Sequence, residues 1–128
     1  MLEKDFQTKF NKWLKYNWNM TSAFELKMVK GKSMPFNAVK EHQIIALRLV
    51  GSKLVYKIAD DSRGTKPFDC FMLVNSPGYI VIMFYKRGQK EFIIIEISNF
   101  IKEMKTSKRK SLTEKRAKEI CYKIGTIL

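Results

Sequence analysis

Cysteine, histidine, proline, glycine and acidic residues are all scarce in this chain of 128 residues, and the shortages narrow what it can be. Two cysteines, Cys70 and Cys121, cannot build a disulfide framework or a structural zinc site, which fits a reducing compartment. Both sit in apolar stretches suited to packing, so the lone histidine, His42, has no credible cysteine partner for nucleophilic catalysis. Six glycines and three prolines are spread without any linker or repeat, so residues 1–128 read as one domain around one small core. No run approaches the roughly 18 apolar residues of a membrane span, and MLEKDFQTKF lacks the apolar stretch of a signal peptide. A soluble, cytoplasmic protein is expected. Acidic residues number 12 against 25 Lys and Arg, a net charge of +13, which calls for a polyanionic partner. Nucleic acid is the usual one, and an anionic membrane surface is the remote alternative.

What is present is apolar material in periodic segments. Hydrophobic residues make up 45% of the chain and aromatics 12%, too much for a disordered tail. Phe6, Phe10, Trp13 and Leu14 recur at helical spacing over 3–16, with lysines opposite. Residues 21–29 alternate as a strand, with Ala23, Glu25 and Lys27 on one face and Phe24, Leu26 and Met28 on the other. A loop KGKSMPFN leads to Asn37, a candidate N-cap for a helix over 38–50 that Gly51 ends. A strand over 53–59 and a polar turn ADDSRGTKP follow, then apolar runs FDCFMLV and YIVIMFY, joined as a hairpin through residues 75–78. EFIIIEI makes one more strand. Ser111 with Glu114 three residues on marks the start of a closing helix. The expected fold is a mixed α/β domain with a central sheet flanked by helices.

Chemistry concentrates at Glu25 and Lys27. Two residues apart on a strand, a carboxylate and an ammonium share one face, the pair that a metal-dependent nuclease needs to hold Mg²⁺ and to steady or deprotonate the attacking water. Taken alone, Glu-x-Lys is as common on a solvated strand. Its continuation, FELKMVKGKSMPFNAVKEHQIIAL, resembles the RecU-type Holliday junction resolvases within the PD-(D/E)xK nuclease superfamily. The matching residues run in order through Glu25 and Lys27, then Lys30, Lys32, Ser33, Pro35 and Phe36, then Glu41, His42 and Gln43. The stretch SKRKSLTEKR is a weaker echo. The resemblance implies a restriction-endonuclease-like core that dimerises and cuts branched DNA using Mg²⁺, with Mn²⁺ as a substitute. It makes Gln43, not His42, the active-site member of Glu-His-Gln.

The superfamily takes a metal-binding Asp from the strand before Glu-x-Lys, but this chain has no acidic residue between Phe6 and Phe24. Asp69, in Pro67-Phe68-Asp69, looks like the superfamily's Pro-Asp strand, and Met83 and Tyr85 stand where Glu-x-Lys would then fall. The expectation is that Glu25 and Lys27 have moved to a strand beside that of Asp69. Asp60 and Asp61 read as a solvated turn, with a second-metal role as the competing option. Met28, Met34, Met72 and Met83 read as core fillers. For phosphate contacts the candidates are Lys30, Lys32, Ser33 and Lys40 around the site, and Lys108, Arg109, Lys110, Lys115 and Arg116 before and within the last helix. Paired cuts across a four-way junction call for a homodimer, with the aromatic N-terminal helix a candidate interface. The alternative is a DNA-binding module on a nuclease-like fold without catalysis.

Overall fold

The computed structural model describes residues 3–19, 22–50, 53–58, 69–74, 76–88 and 90–127, and for 53–58 and 69–74 the backbone alone. The chain runs α1 (Glu3–Asn17), β1 (Ala23–Lys30), β2 (Ser33–Pro35), a 3₁₀ turn (Phe36–Ala38), α2 (Glu41–Leu49), β3 (Lys53–Ile58), β4 (Asp69–Val74), β5 (Gly78–Tyr85), β6 (Glu91–Glu96), α3 (Ile97–Thr106), β7 (Ser111–Thr113), α4 (Glu114–Ile120) and β8 (Lys123–Thr126). This is a mixed α/β fold. Its main sheet has the order β1-β5-β6-β8, with β1 parallel to β5 and the other pairs antiparallel. Two-stranded pairs β2–β7 and β3–β4 lie outside it.

β5 explains the layering. Seven of its eight residues are buried, so both faces of the strand are covered and its sequence reads as one apolar run. Tyr79, Val81 and Met83 point to the side of α1, where they meet Phe6, Phe10, Phe92 and Ile94. Ile80, Ile82 and Phe84 point to the other side, packed with Leu47 of α2, Phe100 of α3 and Ala117 of α4. Helix α1 therefore caps one face and α2, α3 and α4 the other. Glu3 and Asp5 in the first turn of α1 and Lys15 in its last match the helix dipole.

Several expectations give way here. β4 does not form a hairpin with β5. It pairs with β3, while β1 and β6 occupy both edges of β5, and a strand has only two edges. Helix α2 begins at Glu41 with Lys40 as N-cap, and Asn37 lies in the preceding 3₁₀ turn. Helix α4 is capped by Thr113, whose Oγ1 accepts from the Arg116 N–H at 3.1 Å; Ser111 opens β7 instead. Helix α3 and strand β8 are additional elements. The aromatic face of α1 is no free interface, because Phe6 and Phe10 are 0% and 1% exposed within this chain. Met34 and Met83 are fully buried, as core fillers should be, and Met28 packs at the core edge. Asp60 and Asp61 lie outside the described residues, as do the side chains of Asp69, Cys70 and Met72.

One glycine sets the height of α2 above the sheet. A Cβ on Gly78, at the start of β5, would stand 2.5 Å from the Leu47 carbonyl oxygen, a backbone atom that no rotamer change can move. Gly78→Ala is expected to cost about 1–3 kcal/mol through this overpacking. A urea midpoint unchanged from the parent would contradict the close approach.

Candidate functional site

Glu25 and Lys27 stand on β1, an edge strand of the main sheet, opposite Ile80 and Ile82 of β5. Alternation sends Phe24, Leu26 and Met28 to the α1 side and leaves the two charged residues on the face that α2 covers. Lys27 Nζ lies 3.6 Å from Glu25 Oε1, with the side chains 19% and 30% exposed respectively. Gln43 completes the cluster, its Nε2 donating to Glu25 Oε1 at 2.9 Å. Glu25 and Lys27, singled out by their spacing, and Gln43, singled out by the resemblance, thus meet at one carboxylate oxygen.

The way Gln43 is held is local chemistry. Gln43 is the third residue of α2, and its Oε1 accepts from the Lys40 N–H at 2.9 Å, the reaching-back half of a capping box. With the amide oxygen committed to the helix end, the NH₂ group is aimed at Glu25. The preceding turn is fixed by buried anchors, Phe36 at 6% and Val39 at 3% exposed. Phe36 N–H donates to Lys110 O at 3.0 Å, tying the turn to the segment before α4. His42 is exposed beside Gln43.

The small β2–β7 pair brings together two basic runs that are far apart in sequence. Ser33 pairs with Thr113 and Pro35 with Ser111, while Met34 and Leu112, also paired, are buried beneath them. Glu114 N–H donates to Lys32 O at 2.8 Å. Lys30, Lys32, Ser33, Lys40, Lys108, Arg109, Lys110 and Lys115 are all exposed, so the loop after β1 and the run before α4 form one basic region next to the Glu25 cluster. Lys86 and Lys118, which the sequence pattern passes over, line a recess of 540 Å³ there with Lys32, Ser33, Thr113, Lys115 and Glu114, whose carboxylate lies 3.8 Å from Lys86 Nζ and 3.9 Å from Lys118 Nζ. The signal for Lys86 is its position directly after the buried run of β5. Arg116, like Lys118 with Glu91 at 2.9 Å, is engaged within the chain. It is held by Glu103 at 2.8 and 3.1 Å and by Glu119 at 2.8 Å, contacts that raise its pKa and commit its guanidinium within the chain.

Asp69 does not lie beside Glu25 in the sheet. Its strand, β4, belongs to the separate β3–β4 pair, where Asp69 faces Ile58, and β1 has β5 as its neighbour. The expected adjacency of the two carboxylate-bearing strands is therefore corrected, because the parallel pairing of β1 with β5 takes the place assumed for β4. Among the described residues no three His, Cys, Asp or Glu side chains converge as a metal cage. Cys121 is packed against the core and burial pushes its thiol up, as suits an inert residue. No helix among the described residues is long and apolar enough to cross a membrane.

The donor set can be tested against a divalent cation. Mg²⁺ is held by one or two carboxylates, with water and substrate phosphates completing its shell, and not by all-protein cages. Glu25 fits that pattern: both contacts described for it fall on Oε1, which leaves Oε2 for a cation. Comparison with protein-family models, curated proteins and solved structures finds no match for this chain.

Proposed function

We propose that this protein is a metal-dependent, structure-selective DNA endonuclease on a PD-(D/E)xK-like core, resolving four-way junctions by paired phosphodiester cleavage. The observation that carries the reading is the convergence of Glu25, Lys27 and Gln43 at one oxygen beside a basic surface. Glu25 would hold Mg²⁺ or Mn²⁺ through Oε2, the oxygen that Gln43 and Lys27 leave open. When bound, the cation polarises the phosphodiester and lowers the pKa of water. Lys27 Nζ orients the attacking water and neutralises developing charge. Gln43 fixes the Glu25 carboxylate. Lys30, Lys32, Ser33 and the 108–110 run hold neighbouring phosphates, contacts that carry little base information and suit recognition of DNA shape. Two sites for two cuts require a homodimer.

A second reading, a DNA-binding module without catalysis, is favoured by one fact: among the described residues no three His, Cys, Asp or Glu side chains gather to hold a metal. A labelled four-way junction, beside a linear duplex with the same arms, separates the two in Mg²⁺, Mn²⁺ or EDTA. Symmetric, metal-dependent nicks on the junction, lost in Glu25→Ala, are expected. Equal cutting of both DNAs removes the junction selectivity, and tight binding without cutting selects the module. Gln43→Leu keeps the helix but frees the carboxylate, and should slow cutting about 10- to 100-fold, as loss of a ligand-orienting partner does. An unchanged rate in that variant would dissociate Gln43 from the chemistry.

A further inference from the structure

The opposite side of the molecule carries a second patch that the Glu25 cluster does not explain. A recess of 390 Å³ lies between α1 and β8, lined by Lys9, Lys12, Trp13, Tyr16, Asn17 and Thr126. Among the described residues no acidic side chain lines it. Tyr16 is 73% exposed, the most exposed large apolar side chain described, and stands one helical turn from Trp13. Lys123 Nζ sits 5.5 Å from the Trp13 ring centroid and Lys15 Nζ 5.9 Å from that of Tyr16.

The Trp13 ring is fixed in place. Phe10 stacks on it at 6.0 Å and 14°, and Phe92 meets it edge-on at 5.0 Å. Gly125 of β8 lets this happen, since a Cβ there would collide with the Phe92 ring and approach Trp13. A rigid, half-buried indole, a nearly free phenol ring and four ammonium groups match one chemistry closely. Planar bases stack on the rings, and the phosphates between them meet the lysines. Paired bases inside a duplex offer no free π-face, so the ligand must be unpaired. A membrane surface fits less well, because the apolar stripe of α1 is spent on the core and little beyond Tyr16 is left to insert.

We propose that the Trp13–Tyr16 recess is a binding site for single-stranded nucleic acid, held by base stacking and lysine–phosphate contacts. It lies across the sheet from Glu25 and does not rest on the nuclease reading. The test titrates the full chain into a labelled thymidine oligonucleotide of about ten nucleotides, within the range that stacking grooves accommodate. Anisotropy and tryptophan emission are read together. Binding should quench the emission, and Tyr16→Ala should weaken it about 5- to 150-fold, the worth of one stacked base. Tyr16→Phe, which keeps the ring, should restore it, and Lys12→Gln should lower the salt slope by about 0.7. This site is read by binding and tryptophan emission and the Glu25 cluster by junction cutting, so the two sites fail or stand separately. Equal affinity of Tyr16→Ala and parent, equal loss on a blunt duplex, or Tyr16-dependent binding to anionic vesicles without binding to the oligonucleotide would each overturn the proposal.

Discussion

Glu25→Gln should abolish metal-dependent cutting of a four-way junction while leaving junction binding intact. The change is nearly isosteric, and the new amide oxygen can still accept from Gln43 Nε2, so the packing of α2 on β1 is kept. What is lost is the negative charge that Lys27 and Gln43 contact. A cation's stabilisation of a phosphoryl transition state is worth several kcal/mol, so the rate should fall on the order of 10³-fold or more. Binding moves the other way, if at all. Removing a carboxylate 3.6 Å from Lys27 makes the surface more positive, and phosphate affinity holds or rises. Parallel loss of cutting and binding would mean that the substitution had damaged the fold. Retained cutting would remove Glu25 from the site.

The largest stability effect should come from Phe92→Ala. Phe92 is fully buried on β6, with the rings of Phe6, Phe10 and Trp13 at 6.1, 5.3 and 5.0 Å, the last two edge-on. Its cross-strand partner is Gly125, so β8 offers no side chain that could fill the gap. Truncation leaves a cavity between α1 and the sheet at a cost of about 3–5 kcal/mol. A domain of this size has about 5–15 kcal/mol in total, and its thermal midpoint should drop by more than about 10 °C. Circular dichroism melts measure it, and a shift under about 3 °C would contradict the role given to Phe92 in holding α1.

Local patterns were legible where one residue spacing sufficed. The stripe of Phe6, Phe10, Trp13 and Leu14 gives α1, and the alternation around Glu25 gives β1 with both its faces assigned. Gln43 entered through the resemblance, and its hydrogen bond to Glu25 is set by how α2 lies on β1, which no spacing announces. Pairing is where local reading stops. Two apolar runs separated by Asn-Ser-Pro-Gly suggest a hairpin, yet β5 joins β1, a strand about fifty residues earlier, in a parallel pair that no turn residue announces. That error carried Asp69 to the wrong neighbour.

Short elements hid for a different reason. β2 and β7 have three residues each, below any period, and their pairing is fixed by the burial of Met34 against Leu112. The contact between the two basic runs was therefore invisible in sequence. Helix α3 was readable: Ile97, Phe100, Ile101 and Met104 recur at the spacing of a helix face. Arg116 shows the limit of counting charges, since Glu103 and Glu119 that hold it lie 13 and 3 residues away on different helices.

The central claim is that Glu25 holds a divalent cation against DNA, and Mn²⁺ binding tests it most directly. Free Mn²⁺ is followed by electron paramagnetic resonance during titration into the protein–junction complex, for the parent and for Glu25→Gln. The account predicts ions bound by the parent complex beyond those taken up by junction alone, and their loss in Glu25→Gln with the junction still held. Equal Mn²⁺ uptake by the two complexes, or none above the DNA by itself, would contradict it.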